Sequence, residues 1–187
     1  MAGNFWESRY KAGGNSGAGS YGEYAKHKAD IINSYVEKYK IKTISDFGCG
    51  DGNQISLING YEQYSGFDIS EYIINVCKEK FKDISMKFYD DILQMPEAEL
   101  TLSLDVLYHI VEEKDYKIYL DQLFGKSQKF VLIFSSNFDG NDTVSGYILH
   151  RKFTDWADKN YKNFKLVDVI GNYLQTSAQF YLFERIV

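Results

Sequence analysis

Asp46 stands two positions before the first of three alternating glycines, Gly48, Gly50 and Gly52, in the stretch KTISDFGCGDGNQ at 42–54. Glycines so spaced make a turn that no Cβ obstructs, and a ligand can approach its backbone closely. The carboxylate ahead of the turn repels a pyrophosphate and attracts a cation. GxGxG also departs from the GxGxxG of dinucleotide-binding folds. Cys49 lies inside the turn as a small side chain facing either the core or a ligand. Asp68 closes the next apolar run, where a carboxylate can accept hydrogen bonds from both hydroxyls of a ribose; it could equally cap the following helix, a task Ser70 also suits. Further along, Asp90 and Asp91 follow a third apolar run, either as ligand contacts or as a solvated turn. His109 has the unperturbed pKa of about 6.5 that suits a general base near neutrality, or it packs beneath the ligand. Asp105, four residues earlier, can orient that imidazole or touch the ligand itself.

These residues need strands to carry them. Apolar and β-branched runs predict strands at 43–47, 64–68, 86–88, 99–105 and 130–134, then a terminal pair at 165–170 and 180–186. Three- and four-residue apolar spacing predicts helices over 23–40, 70–81, 114–124 and 147–160, with a short one beginning at 53–58. The alternation describes one α/β domain over 1–187, with the core at 23–187. Residues 1–22 hold glycines and small polar residues around Trp6, Arg9, Tyr10 and Tyr21; they predict no regular structure. They form a lid over a ligand or a tail, and the aromatic content favours the lid. The polar stretch 138–146 reads as a mobile loop.

The 187 residues are 44% hydrophobic and 17% aromatic with a net charge of −5, which fits a compact globule and opposes nucleic acid as a partner. No signal-peptide pattern and no apolar run of bilayer length occur, so the expectation is a cytoplasmic protein without a membrane partner. Cys49 and Cys77 are too few for a disulfide framework and lack zinc-ligand spacing, so no metal is expected. Arg9, Lys28, His150 and Arg151 fall in segments expected to meet over an acceptor pocket. Together they would suit an anion such as a phosphorylated sugar, phosphoramidate or uronate; the alternative is four surface cations with unrelated roles. Trp6 and Tyr10 are placed at the same pocket. Oligomeric state is left open.

DFGCGDG at 46–52 resembles motif I of class I S-adenosylmethionine-dependent methyltransferases. NSGAGSYG at 15–22, SLDVLYHIVEE at 103–113 and HRKFTDW at 150–156 are similar to segments of small bacterial methyltransferases that accompany capsule and surface-glycan biosynthesis. The resemblance implies a Rossmann-like, mostly parallel seven-stranded sheet with helices on both faces. It also implies S-adenosylmethionine as cofactor, S-adenosylhomocysteine as product, and a small-molecule acceptor methylated on oxygen. Asp46, Gly48, Cys49, Gly50, Asp68, Ile69, Asp90, Asp91, Ile92, Leu104, Asp105 and Tyr21 would then adjoin the cofactor, with Asp91 favoured over Asp90 for the adenine amino group. His109 would face the acceptor. Tyr108 stands where many broader class I enzymes have an acidic residue, and no Asn-Pro-Pro-Tyr-like segment follows the fourth strand, which argues against base or amide nitrogens. The rival readings are a nicotinamide-dependent oxidoreductase and a non-catalytic module that binds S-adenosylmethionine.

Overall fold

The computed structural model describes residues 2–83, 85–141, 147–171 and 176–186. Its core is a seven-stranded sheet in the order β3-β2-β1-β4-β5-β9-β8. β1 (Thr43–Phe47), β2 (Gln63–Phe67), β3 (Met86–Tyr89), β4 (Ala98–Leu104) and β5 (Ser127–Ser135) run parallel, while β9 (Gln179–Arg185) lies antiparallel between β5 and β8 (Phe164–Ile170). The chain starts at β1, moves to one edge through β3, then returns across β1 to β4. That reversal opens a crevice at the carboxyl ends of β1 and β4, where doubly wound sheets bind ligands.

Period-two alternation sends side chains to two cores. Ile44, Leu100, Leu102, Leu132, Phe180 and Leu182 pack on one face with Ile32 and Val36 of α2 (Gly22–Tyr39) and Ile74 and Cys77 of α3 (Glu71–Lys80). Phe47, Val131, Ile133, Tyr181 and Phe183 pack on the other with Leu120 and Leu123 of α4 (Glu113–Gly125) and Phe153 and Ala157 of α5 (Phe153–Asn160). β4 gives this second face Thr101 and Ser103; the Ser103 hydroxyl meets the Tyr119 hydroxyl at 2.8 Å, and Tyr119 donates to the Phe47 carbonyl at 2.7 Å.

Three sequence expectations need correction. Residues 1–22 are not irregular throughout: Ala2–Lys11 form helix α1, because the helix-compatible run through Glu7 and Lys11, paired at 2.8 Å, precedes the glycine cluster at 13–19. The helix expected from 147 begins only at Phe153. Leu149–His150 (β7) instead pair antiparallel with Gly140–Asn141 (β6), using backbone groups a helix would have occupied. After the glycine turn the chain makes a single 3-10 turn at Ile55–Leu57 in place of the short helix expected from 53–58. The loop expected at 138–146 extends over 142–146, which lie outside the described residues.

Candidate active site

β1 delivers Asp46 and the glycine turn to the crevice. Gly48 and Cys49 donate their backbone N–H groups to the Phe67 carbonyl at 2.7 and 2.8 Å, lashing the turn to the end of β2. Gly48 has φ +92°, and a Cβ there would collide with the Val106 side chain; only glycine allows this turn to pass under the segment after β4. Asp68 braces the turn from the neighbouring strand: its Oδ2 accepts from Gly50 N and its Oδ1 from Ser70 N, both at 3.0 Å. Ser70 in turn caps α3 by accepting from Ile73 N.

Both carboxylates are buried. Burial pushes Asp46 up to about 7, against the pull of the Tyr64 hydroxyl donating to its Oδ2 at 2.9 Å. Burial pushes Asp68 up to about 6, against its two backbone donors. Asp46 Oδ1 is buried with no hydrogen-bond partner among the described residues. A buried acceptor left unpaired is costly unless something binds it.

These groups line a cavity of about 840 Å³. Its roof is the N-terminal segment. Tyr10 of α1 is 3% exposed, and its hydroxyl meets Ser16 Oγ at 3.1 Å. Ser16 and Asp51 bond reciprocally at 2.9 Å each way, and Tyr21 donates to Asp51 Oδ2 at 2.8 Å. Burial opposes the Asp51 charge, but these donors and Asn53 N hold its pKa below the usual carboxylate value. One turn earlier in α1, Glu7 accepts from the Ser70 hydroxyl and from Tyr72 N. The roof is thus fastened to both strand ends that carry the carboxylates.

The remaining wall is aromatic. Trp6 packs edge-on against His109 with centroids 5.3 Å apart; Tyr108 lies 4.6 Å from His109 and 5.8 Å from His150. Burial lowers the His109 pKa, partly offset by a hydrogen bond to the Tyr147 backbone and by Asp105, which favours the neutral ring. Asp105 adopts φ +61°, a left-handed conformation that aspartate tolerates better than most residues. It accepts from Lys28 Nζ at 2.7 Å and from the Tyr108 hydroxyl at 2.8 Å.

The cavity brings together Trp6, Arg9, Tyr10, Lys28, Asp46, Gly48, Cys49, Gly50, Asp68, Ile69, Ile92, Leu104, Asp105, His109 and His150. Asp90 and Asp91 are exposed and are not among its lining residues; Asp91 Oδ1 instead accepts from Leu93 N at 2.9 Å. Tyr21 acts through Asp51 rather than by lining the cavity. Arg151 lies outside it, because its guanidinium donates to the Ile110 and Val111 carbonyls at 2.7 Å each and sits over the Tyr116 ring. Of the four cations expected to meet over the acceptor pocket, Arg9, Lys28 and His150 therefore line the cavity and Arg151 does not. Lys28 is 2% exposed and ion-paired to Asp105, and Arg9 donates to Asn15. Carboxylates predominate: Asp46, Asp51, Asp68, Asp105, Glu112 and Asp115 all line the cavity. Sequence reading missed Asp51, although it stands inside the glycine motif, because its partners lie about 35 residues away. It also missed Glu7 and Phe5, for which no local pattern exists.

Neither a protein-family model nor a curated protein matches the chain. Solved structures do. The N-methyltransferase NodS from Bradyrhizobium japonicum WM9, in complex with S-adenosylhomocysteine, is 10% identical with 98% of each chain covered and a TM-score of 0.74. Magnesium protoporphyrin IX methyltransferase (ChlM) from Synechocystis PCC 6803 with bound S-adenosylhomocysteine is 13% identical, with 97% of each chain covered and a TM-score of 0.71. A S-adenosylmethionine-dependent methyltransferase from Clostridium acetobutylicum ATCC 824 is 13% identical over 97% of this chain and 96% of that one, with a TM-score of 0.67. The chain has the Rossmann-like class I methyltransferase fold. Among the described residues, no helix is long and apolar enough to cross a membrane.

Proposed function

We propose that the protein transfers a methyl group from S-adenosylmethionine to a small-molecule acceptor. The observation that carries this reading is the unpartnered, buried Oδ1 of Asp46, a residue that lines the cavity at the edge of the glycine turn. A buried carboxylate in want of a partner suits a ligand bearing positive charge, and S-adenosylmethionine carries an ammonium and a sulfonium. Asp68 retains lone pairs for ribose hydroxyls beyond the two backbone donors it already serves. Ile69 and Ile92 offer apolar flanks for a purine, and Lys28 has donors beyond the one given to Asp105.

When bound, the cofactor supplies a methyl carbon activated by the sulfonium. The chain's own residues do the rest. α1 and Ser16 close over the site and exclude water; the aromatic wall orients the acceptor; neutral His109 takes the acceptor's proton. Its bond to the Tyr147 backbone favours the protonated ring, as a carbonyl acceptor does, leaving the other ring nitrogen to receive that proton.

Oxygen as the methylated atom and a place in capsule or surface-glycan biosynthesis rest on the sequence resemblance. Within that setting, the electrostatics of the cavity support an uncharged acceptor over an anionic one. A pyrophosphate-bearing nicotinamide ligand would meet the buried Asp46 and Asp68 carboxylates, which disfavours the oxidoreductase reading.

The test is calorimetric titration with S-adenosylmethionine, S-adenosylhomocysteine and NAD in parallel. Binding of the two sulfur ligands without NAD is expected, and their failure to bind folded protein would sink the proposal. With an acceptor in hand, His109→Gln should lower turnover by about 10²–10⁴-fold while S-adenosylhomocysteine still binds. Unchanged turnover would remove His109 as the base. Binding without turnover of any acceptor would favour the non-catalytic module.

A further inference from the structure

The acceptor end of the cavity has a composition that narrows what it takes. Phe5 and Trp6 of α1 meet edge to face at 5.3 Å, Phe5 stacks on Tyr147 at 5.1 Å, and Trp6 continues through His109 to Tyr108 and His150. Three of the polar groups on this wall bond within the protein. The Tyr108 hydroxyl goes to Asp105, His150 Nδ1 shares a 2.7 Å bond with Ser136, and Arg9 donates to Asn15. The Lys28 charge is met by Asp105. Glu112 and Asp115 line the cavity as exposed carboxylates.

Resting on the methyl-transfer reading, we infer that the acceptor is a flat aromatic compound without negative charge, carrying the hydroxyl or amino group to be methylated. Ring faces at these separations attract another ring by offset stacking or edge contact. A cationic ring gains further from the same faces and from Glu112 and Asp115. A phosphorylated sugar would bring an anion to a lining where six carboxylates outnumber Arg9 and Lys28, and where Lys28 is already paired with Asp105. In the reaction the acceptor oxygen or nitrogen forms its bond to the methyl carbon as the carbon–sulfur bond breaks. The electron pair goes to sulfur, which becomes a neutral thioether, and the acceptor proton goes to His109.

The experiment titrates the protein, first saturated with S-adenosylhomocysteine, with a phenol, an indole and an aminoquinoline, and with glucose, glucose 6-phosphate and glucuronate. At least one aromatic compound is expected to bind and no sugar to compete with it. Trp6→Ala should weaken that binding by about tenfold, with Trp6→Phe restoring most of it. Glu112→Gln with Asp115→Asn should weaken only a cationic aromatic. Tighter binding of a sugar, or no binding by any aromatic compound, overturns the inference. Failure of the initial saturation step would instead count against the methyl-transfer reading, so the two failures are distinguishable.

Discussion

The two ends of the cavity are built by different means. At the carboxylate end, the groups that matter lie between Asp46 and Ser70 and are fixed by backbone hydrogen bonds at strand ends: the Gly48 and Cys49 amides on Phe67, and the Gly50 and Ser70 amides on Asp68. At the aromatic end, Phe5, Trp6, Tyr108, His109 and His150 come from α1, the turn after β4 and the β6–β7 ribbon. They are held largely by one another's rings. The first end has no freedom to adapt, as suits a ligand of fixed chemistry. Packed side chains can be exchanged at modest cost, so the second end can change what it accepts without disturbing the first.

The comparison is broken most severely at Gly48. Gly48→Ala combines backbone strain of about 1–3 kcal/mol at positive φ with a collision against Val106. The expected outcome is loss of S-adenosylhomocysteine binding by calorimetry, whereas Trp6→Ala at the aromatic end leaves it measurable. Equal losses at both ends would erase the distinction.

The next effect is a pH dependence. Asp46 titrates near 7 in the fold and near 3.8 when exposed, so the unfolded chain binds fewer protons in between. The contribution of its neutral form is complete below about pH 4 and is lost as pH rises through about 7, at up to about 1.4 kcal/mol per pH unit. Denaturation of the ligand-free protein should therefore show stability falling across that window. Affinity for the cationic S-adenosylmethionine should run the opposite way and rise from pH 6 to pH 8, because the ligand favours the ionised carboxylate. Asp46→Asn should remove its share of both trends; the same slopes in that variant would show that another group causes them.

The smallest effect concerns the roof. Tyr21→Phe removes one donor from Asp51 and leaves Ser16 N in place, for a loss of about 1 kcal/mol. That is a melting temperature lower by about 2–4 °C. A tenfold loss of S-adenosylhomocysteine binding would instead mean that the roof, not the strand ends, dominates that end of the cavity.

The carboxylate end was readable because its signals are local. An acidic residue two positions before alternating glycines, and a second at the close of the next apolar run, are separations that strands and a tight turn dictate. The seven strands were legible for the same reason, since each is a short run whose apolar and β-branched residues show in the sequence itself. The N-terminal helix was not, because the glycines at 13–19 dominate the composition of that stretch while the helix lies before them. The helix expected from 147 failed because the β6–β7 pairing spans about ten residues and offers no periodicity to read.

Sequence alone determined the sheet, the glycine turn and the pair of carboxylates beside it, since propensity, alternation and turn chemistry act over a few residues. Tertiary structure decided which charges remain available. Lys28 and Asp105, 77 residues apart, neutralise each other at 2.7 Å, and Arg151 turns away to the carbonyls of Ile110 and Val111. A string of residues shows how many cations a pocket might gather. Whether each is already paired depends on contacts between distant segments.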